Sequence, residues 1–391
     1  MAVVGSGVFT ESDYLPRELL MSTYLTASDL SRALAVRDLS DAAQGPHAMQ
    51  ALLDATIDAL ARAWGSRVRV VRNSPLVAVA DNYDKLGYDP ADVTRDARYT
   101  RYVSPTTMLR SHTTADIPDT LRRYAGTTAE VDDLIVVPGL VYRRDVVDRI
   151  HVGEPHQVDL WRLRSRPDTG DRDVRDLVAH VVRAVLPGAG WRTTPARHPY
   201  TALGRQVDVR LGADWLELAE CGLIAEHVLA GAGLDPARWS GTALGMGLDR
   251  ALMLRKGIPD IRYLRSGNPR VAEQLRDLSP WRPVSALPPI RRDLSVVVAD
   301  DTDDETLGDT VRKVLHDRVD DIESVLVAAR TPWAELSEKA RDRLGIVPGQ
   351  TNAVVRLVLR PLSRTLTDEE ANELRNQVYL AIHAGPRLEL A

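Results

Sequence analysis

The stretch GTALGMGLDRALMLRKGIPDIRYLR, Gly241 to Arg265, decides how the rest of the chain is read. Small residues and a turn lead into a helix whose first turn carries Arg250 behind Asp249. Ala251, Leu252, Met253 and Leu254 give that helix a buried side. A glycine-rich approach lets a flat group come close to the backbone, and an arginine on a packed helix is a fixed cation. Upstream residues then read as a pocket built in front of this element, and downstream residues as a separate attachment.

Working upstream, Val207 to Val209 and Trp215 to Leu218 read as paired strands across a turn at Gly212 and Ala213. Leu177 to Val185 has the spacing of an amphipathic helix. Leu134 to Leu140 is an apolar strand interrupted by Pro138 and Gly139, and His156 to Leu163 is a second one. Ile117 to Tyr124 reads as a short helix, and Val68 to Val71 as a strand. His47 to Trp64 repeats its apolar residues at three and four, the signature of a helix, which Gly65 stops. Leu15 to Ala33 allows a helix after Pro16 without a clear period. Antiparallel strands with a few long helices predict one α+β domain over residues 1–280, with its core at about 105–270.

Downstream, prolines cluster between Ser279 and Ile290, and residues 281–290 read as a connector. Residues 291–391 then follow a β-α-β-β-α-β order, the pattern of a ferredoxin-like domain. Its strands are expected at Leu294–Ala299, Ile322–Ala329, Ala353–Leu359 and Leu388–Leu390. Residues 331–349 are an insertion with a helix from Trp333 to Leu344.

Composition bounds the function. The chain has 391 residues, 44% hydrophobic and 27% charged, with a net charge of −5, which argues against indiscriminate polyanion binding but leaves room for local arginine patches. No apolar run reaches the length of a membrane span, and the start MAVVGSGVFTESDY predicts no signal peptide. One cysteine, Cys221, excludes a disulfide framework and a cysteine-rich zinc site, so a reducing, cytoplasmic setting is expected. There is no P-loop, and GMGLD lacks the context of a dinucleotide fingerprint.

Candidate chemistry gathers at three places. Arg143, Asp145, Asp148, His151 and Gln157 lie in one strand, loop and strand segment. On a strand Arg143 and Asp145 would share a face. The arginine and histidine suit a triphosphate, with the acids fixing the arginine or drawing a metal; a solvated hairpin with surface ion pairs would carry the same residues. Glu217 sits on an apolar strand between Leu216 and Leu218, which face the other way, and a covered carboxylate there needs a cation or a metal. Arg250 would supply a second cation for a polyphosphate.

Residues 105–270 resemble the catalytic core of class II aminoacyl-tRNA synthetases, specifically the phenylalanyl-tRNA synthetase family. MLRSHTT at Met108 looks like the family's amino-acid-binding phrase. VYRRDVVDRIHVGEPHQVD at Val141 looks like its motif 2, and GTALGMGLDRALMLRKGIPDIR at Gly241 is close to its motif 3. RRDLSVVV at Arg291 and RTLTDEEAN at Arg364 resemble the family's anticodon-binding domain. The single-chain layout looks like the organellar form.

The resemblance implies ATP and Mg²⁺, activation of an amino acid as its adenylate, and transfer to tRNA. It implies Arg143 at the α-phosphate and the attacked carboxyl, Asp145 and His151 beside ATP, Arg250 at the γ-phosphate, and Glu217 holding ATP and metal. His112, Thr114, Gln157 and Asp159 would bind the amino acid, with Asp159 where glutamate is usual. His198 and Tyr200 stand in place of two phenylalanines, Ala243 leaves room for a ring, and Glu220 replaces a small residue. Those departures allow phenylalanine or a more polar relative as substrate. Arg291 and Arg292 would meet tRNA. Two other readings stay open: activation for an acceptor other than tRNA, and a noncatalytic RNA-binding paralogue. A monomer or a homodimer is expected, with no membrane partner.

Overall fold

The computed structural model describes residues 24–284, 287–362 and 364–388. Two compact units divide them, Tyr24–Arg144 with Arg149–Ala286, and Asp145–Asp148 with Leu287–Ala391. The expected start of a helix at Pro16 lies outside the described residues; within the same stretch α1 spans Ala27–Leu34.

In the larger unit, strands β1 (Arg67–Val70), β4 (Asp132–Leu140), β5 (His156–Arg164), β6 (Trp191–Pro195), β7 (Thr201–Leu211), β8 (Asp214–Ile224) and β9 (Ser240–Gly247) form a seven-stranded sheet in the order β1-β4-β5-β9-β8-β7-β6. The intervening β2 (Leu76–Ala78) and β3 (Thr107–Leu109) make a separate ribbon. The fold is α+β as expected, with one departure from an antiparallel sheet: β1 pairs with β4 in parallel. The chain reaches β4 from β1 through some sixty residues, and a connection of that length can bring it back in the same direction.

β4 runs unbroken through Pro138 and Gly139, where an interruption was expected. The Val136 carbonyl accepts from Val71 and so points to the β1 side. By the two-residue period Pro138 nitrogen points that way too, past the last residue that β1 pairs. No ladder bond is therefore lost to the proline.

Helix α2 spans Ala48–Trp64. His47 caps it by accepting from Met49 N, Gln50 completes the capping box, and Gly65 ends it at φ 67°. α2 packs on α5 (Asp171–Val185) and α7 (Leu248–Lys256), with the short helices α3 (Val79–Asn82), α4 (Ile117–Arg122) and α6 (Glu226–Gly231) between them in sequence. On the sheet face that carries Trp161 and Ala243, an apolar cluster joins those two to Ile135, Val137, Leu121 and Trp239. The α8 helix, Pro269–Gln274, closes the unit.

In the smaller unit β10 (Ile290–Ala299), β12 (Gln350–Leu359) and β11 (Ile322–Pro332) form an antiparallel sheet in the order β10-β12-β11. Helices α9 (Asp304–Leu315) and α11 (Asp368–Ile382) cover one face around Leu294, Val296, Val311, Val355, Leu374 and Val378. The expected fourth strand is not formed at Leu388, and the rest of it lies outside the described residues. The insertion carries α10 (Glu338–Leu344), shorter than expected because Pro332 and a 3-10 turn at Trp333–Glu335 precede the Ser337 cap.

Candidate active site

Across the large sheet, Asp159 of β5 lies opposite Gly245 of β9, which lies opposite Glu220 of β8; Gln157 lies opposite Gly247, and Trp161 opposite Ala243. Residues directly opposite one another share a face. Gln157, Asp159 and Trp161 therefore line one bank of a trough, Gly247, Gly245 and Ala243 form its floor, and Glu220 stands on the far bank, about 10 Å from Asp159 at two strand spacings.

The segment Arg110–Thr114 builds the wall above β5. Arg110 is 3% exposed, its Nε donates to the Leu140 carbonyl at 2.9 Å, and its guanidinium pairs with Asp116. Gly139 makes room for it: at φ +147° an added Cβ would stand 2.3 Å from Arg110 Nη2. Thr113 and Thr114 hydroxyls donate to Asp159, Thr114 at 3.0 Å, and Trp161 Nε1 donates to it at 2.9 Å. Thr113 N donates to Gln157 Oε1 at 3.3 Å. Asp159 is 1% exposed. Burial raises its pKa, and the hydroxyl and indole donors pull it back only in part. The sequence candidates Asp159, Thr114 and Gln157 come together here with Thr113 and Trp161, which sequence reasoning did not name. Trp161 was within reach, two residues beyond Asp159 on a strand.

His112 stacks on Tyr88, with ring centroids 5.8 Å apart and planes 20° apart. Neither of its buried ring nitrogens has a hydrogen-bond partner among the described residues. Burial, then the Arg143 charge, pushes its pKa down to about 3; the Asn82 backbone opposes this without an aligned bond. The ring is neutral at ordinary pH. Tyr200 lies between Trp161 and His198, at centroid distances of 6.2 and 5.7 Å. Tyr88, which also approaches Tyr200, is not among the sequence candidates. His198 Nε2 is 2.7 Å from Glu220 Oε2.

At the other end of the trough, Arg143 N donates to the Gly153 carbonyl at 2.9 Å and its Nε to the Ser111 carbonyl at 2.7 Å. These bonds fix the guanidinium. Arg250 Nη2 lies 3.3 Å from His151 Nε2. Glu217 remains open to solvent, yet its pKa is raised, first by the walls around the carboxylate and then by Glu220, while Arg250 and Arg143 pull it down. Both guanidiniums thus act on one carboxylate, and residues far apart in sequence converge.

A β-bulge explains how Glu217 reaches this face. Val207 pairs with Ala219 but Asp208 with Glu217, leaving Leu218 as the extra residue. Plain alternation would put residues 217 and 220 on opposite faces; the bulge puts them on the same one. Regular strand ends at Leu140, so Arg143 and Asp145 do not share a strand face. Asp145 belongs to the smaller unit, where its carbonyl accepts from Arg312 and its carboxylate from Val146 N at 2.9 Å. Arg291 and Arg292 point to opposite faces of β10: Arg291 is exposed, while Arg292 pairs with Asp368 at 2.7 Å and donates to Asn372.

A phenylalanine–tRNA ligase of Arabidopsis thaliana chloroplasts and mitochondria is 27% identical over 331 residues, covering 81% of this chain and 71% of that protein. The phenylalanine–tRNA ligase alpha subunit of Prochlorococcus marinus (strain MIT 9313) is 34% identical over 247 residues, 57% of this chain and 71% of the relative. A probable mitochondrial phenylalanine–tRNA ligase of Drosophila melanogaster is 25% identical, over 79% of this chain and 76% of its own length. Residues 41–275, which carry the whole trough, match the family described as tRNA synthetases class II core domain (F); this chain belongs to that family.

Proposed function

We propose that the chain is an aminoacyl-tRNA ligase that activates an aromatic amino acid with ATP and transfers it to tRNA. The observation that carries this reading is the joint action of Arg143 and Arg250 on Glu217 at one end of the trough, with the buried carboxylate Asp159 at the other.

Arg143 binds the α-phosphate and the carboxylate that attacks it; Arg250 and His151 bind the distal phosphates. As the carboxylate adds to the α-phosphorus and pyrophosphate departs, the two cations neutralise the charge that develops. The amino acid lies over Gly245 and Ala243, with its ammonium toward Gln157, Thr114 and Asp159. A hydroxyl of the terminal ribose of tRNA then attacks the acyl carbon of the adenylate, forming the ester as the acyl–phosphate bond breaks and AMP leaves.

The residues present fit Mg²⁺. Burial and Glu220 raise the proton affinity of Glu217, and a cation held by Glu217 would relieve both. Among the described residues no cluster of three acids, histidines or cysteines is placed to hold a metal, so the ion would draw most of its oxygens from phosphate and water. When bound it supplies charge neutralisation at the phosphates.

Among the described residues no helix is long and apolar enough to cross a membrane. The buried free Cys221 suits a reducing compartment, and we place the activity in the cytoplasm. The test is amino-acid-dependent exchange of pyrophosphate into ATP, followed by charging of total tRNA. Arg250→Ala is expected to lower exchange about 100-fold, as loss of about 3 kcal/mol of transition-state stabilisation would. Exchange unchanged by that substitution would overturn the assignment.

A further inference from the structure

The far bank of the trough carries a group that activation itself does not use. Glu220 stands opposite Gly245 in the same cross-strand row as Asp159, and above Gly245 there is open space, since an added Cβ would meet nothing within 4 Å. The two acids are treated differently. Asp159 is sealed under Thr113, Thr114 and Trp161, whereas the Glu220 side chain is 37% exposed. Its Oε2 is held by His198 at 2.7 Å. Its Oε1 has no partner among the described residues.

The surrounding wall is aromatic. Tyr200 stacks with Trp161 and contacts His198, and Tyr88 approaches it at 6.4 Å. A planar side chain lying over Gly245 and Ala243 would rest against these rings and bring its edge to the His198–Glu220 pair. An unsubstituted benzene ring there would strip water from Oε1 and return nothing, because a carboxylate only accepts. A ring bearing O–H or N–H would replace the lost water. His198 engages Glu220 at Oε2, which leaves the lone pairs of Oε1 for a donor other than His198.

We propose that this pocket selects an α-amino acid whose aromatic ring carries a hydrogen-bond donor, received by Glu220 Oε1, over phenylalanine. The inference rests on the ligase reading for the place of the amino acid and adds the chemistry of its side chain. Glu220 is the specificity-determining residue and His198 its positioning residue. A site built to pair a substrate hydroxyl discriminates strongly against the analogue that lacks it. With Glu220 open to solvent the expected preference is roughly 100-fold, below the limit for a sealed site.

The experiment uses the full chain with L-phenylalanine, L-tyrosine, L-3,4-dihydroxyphenylalanine and L-4-aminophenylalanine. Calorimetric binding is read beside kcat/KM for pyrophosphate exchange. The best donor-bearing ring is expected to exceed phenylalanine roughly 100-fold in both. Glu220→Ala should bring the two toward parity, and the near-isosteric Glu220→Gln, which keeps the fold if the alanine variant does not, should fall between. Phenylalanine matching or exceeding every donor-bearing ring overturns the inference and leaves the ligase reading standing. So does a preference that persists in both Glu220 variants. Selective binding without exchange overturns the ligase reading and supports the pocket chemistry. Neither binding nor exchange with any of the four overturns both.

Discussion

Among the described residues Asp159 forms no ion pair, and two hydroxyls and an indole hold it in a place water does not reach. Burial raises its pKa, so the charged form that attracts a substrate ammonium exists only above that raised value. The KM for the amino acid is therefore expected to climb as pH falls through it, with the acid limb above the ordinary aspartate range. Trp161→Phe removes one donor from the charged form, and the limb should move to higher pH; a pH profile of amino-acid KM for both proteins reads this. Glu217 makes a different point. Its residue type was legible as a candidate, but its face was not, because one extra residue at Leu218 reverses the alternation.

At the level of elements, strand β9 stands where the sequence reads as small residues and a turn, and at Gly241 the need for a small residue is steric. A Cβ on Gly241 would stand 2.0 Å from the Arg162 carbonyl and 2.7 Å from Ile224 Cδ1. Gly241→Ala must push strands β9 and β5 apart, at a cost of about 1–3 kcal/mol. Thermal unfolding should show a fall in Tm on the order of 5 °C.

Helix α2 offers a pH test. His47 caps it through Nδ1, and its Nε2 bonds the Leu264 carbonyl at 3.1 Å. Burial pushes its pKa down to about 4, against an unfolded value of 6.5. A depressed base stabilises the fold above its unfolded pKa and loses that stability as pH falls toward the folded one. Between pH 6.5 and 4, His47 is expected to cost up to about 1.4 kcal/mol per pH unit. His47→Asn keeps a capping oxygen, so denaturant unfolding of that variant should show a shallower acid slope.

At the scale of the whole molecule, the smaller unit places Arg291 on the open face of its sheet beside the Asp293–Arg356 pair and Arg292 on the helical face. If tRNA meets the open face, Arg291→Glu should raise the KM for tRNA several-fold and reduce the salt dependence of binding by roughly one phosphate contact. Charging assays over a range of salt would read both; an unchanged salt slope would remove Arg291 from the interface.

The sequence by itself determined the class of fold, the helices and strands with strong periods, and the residues able to handle phosphate and an amino acid, because side-chain type and local period are properties of short stretches. Only the tertiary structure decided which of those residues meet. The parallel entry of β1, the bulge at Leu218 and the pairing of His198 with Glu220 each depend on contacts between distant segments. Such contacts are set by register and by the shape of neighbouring surfaces, which leave no period in the chain.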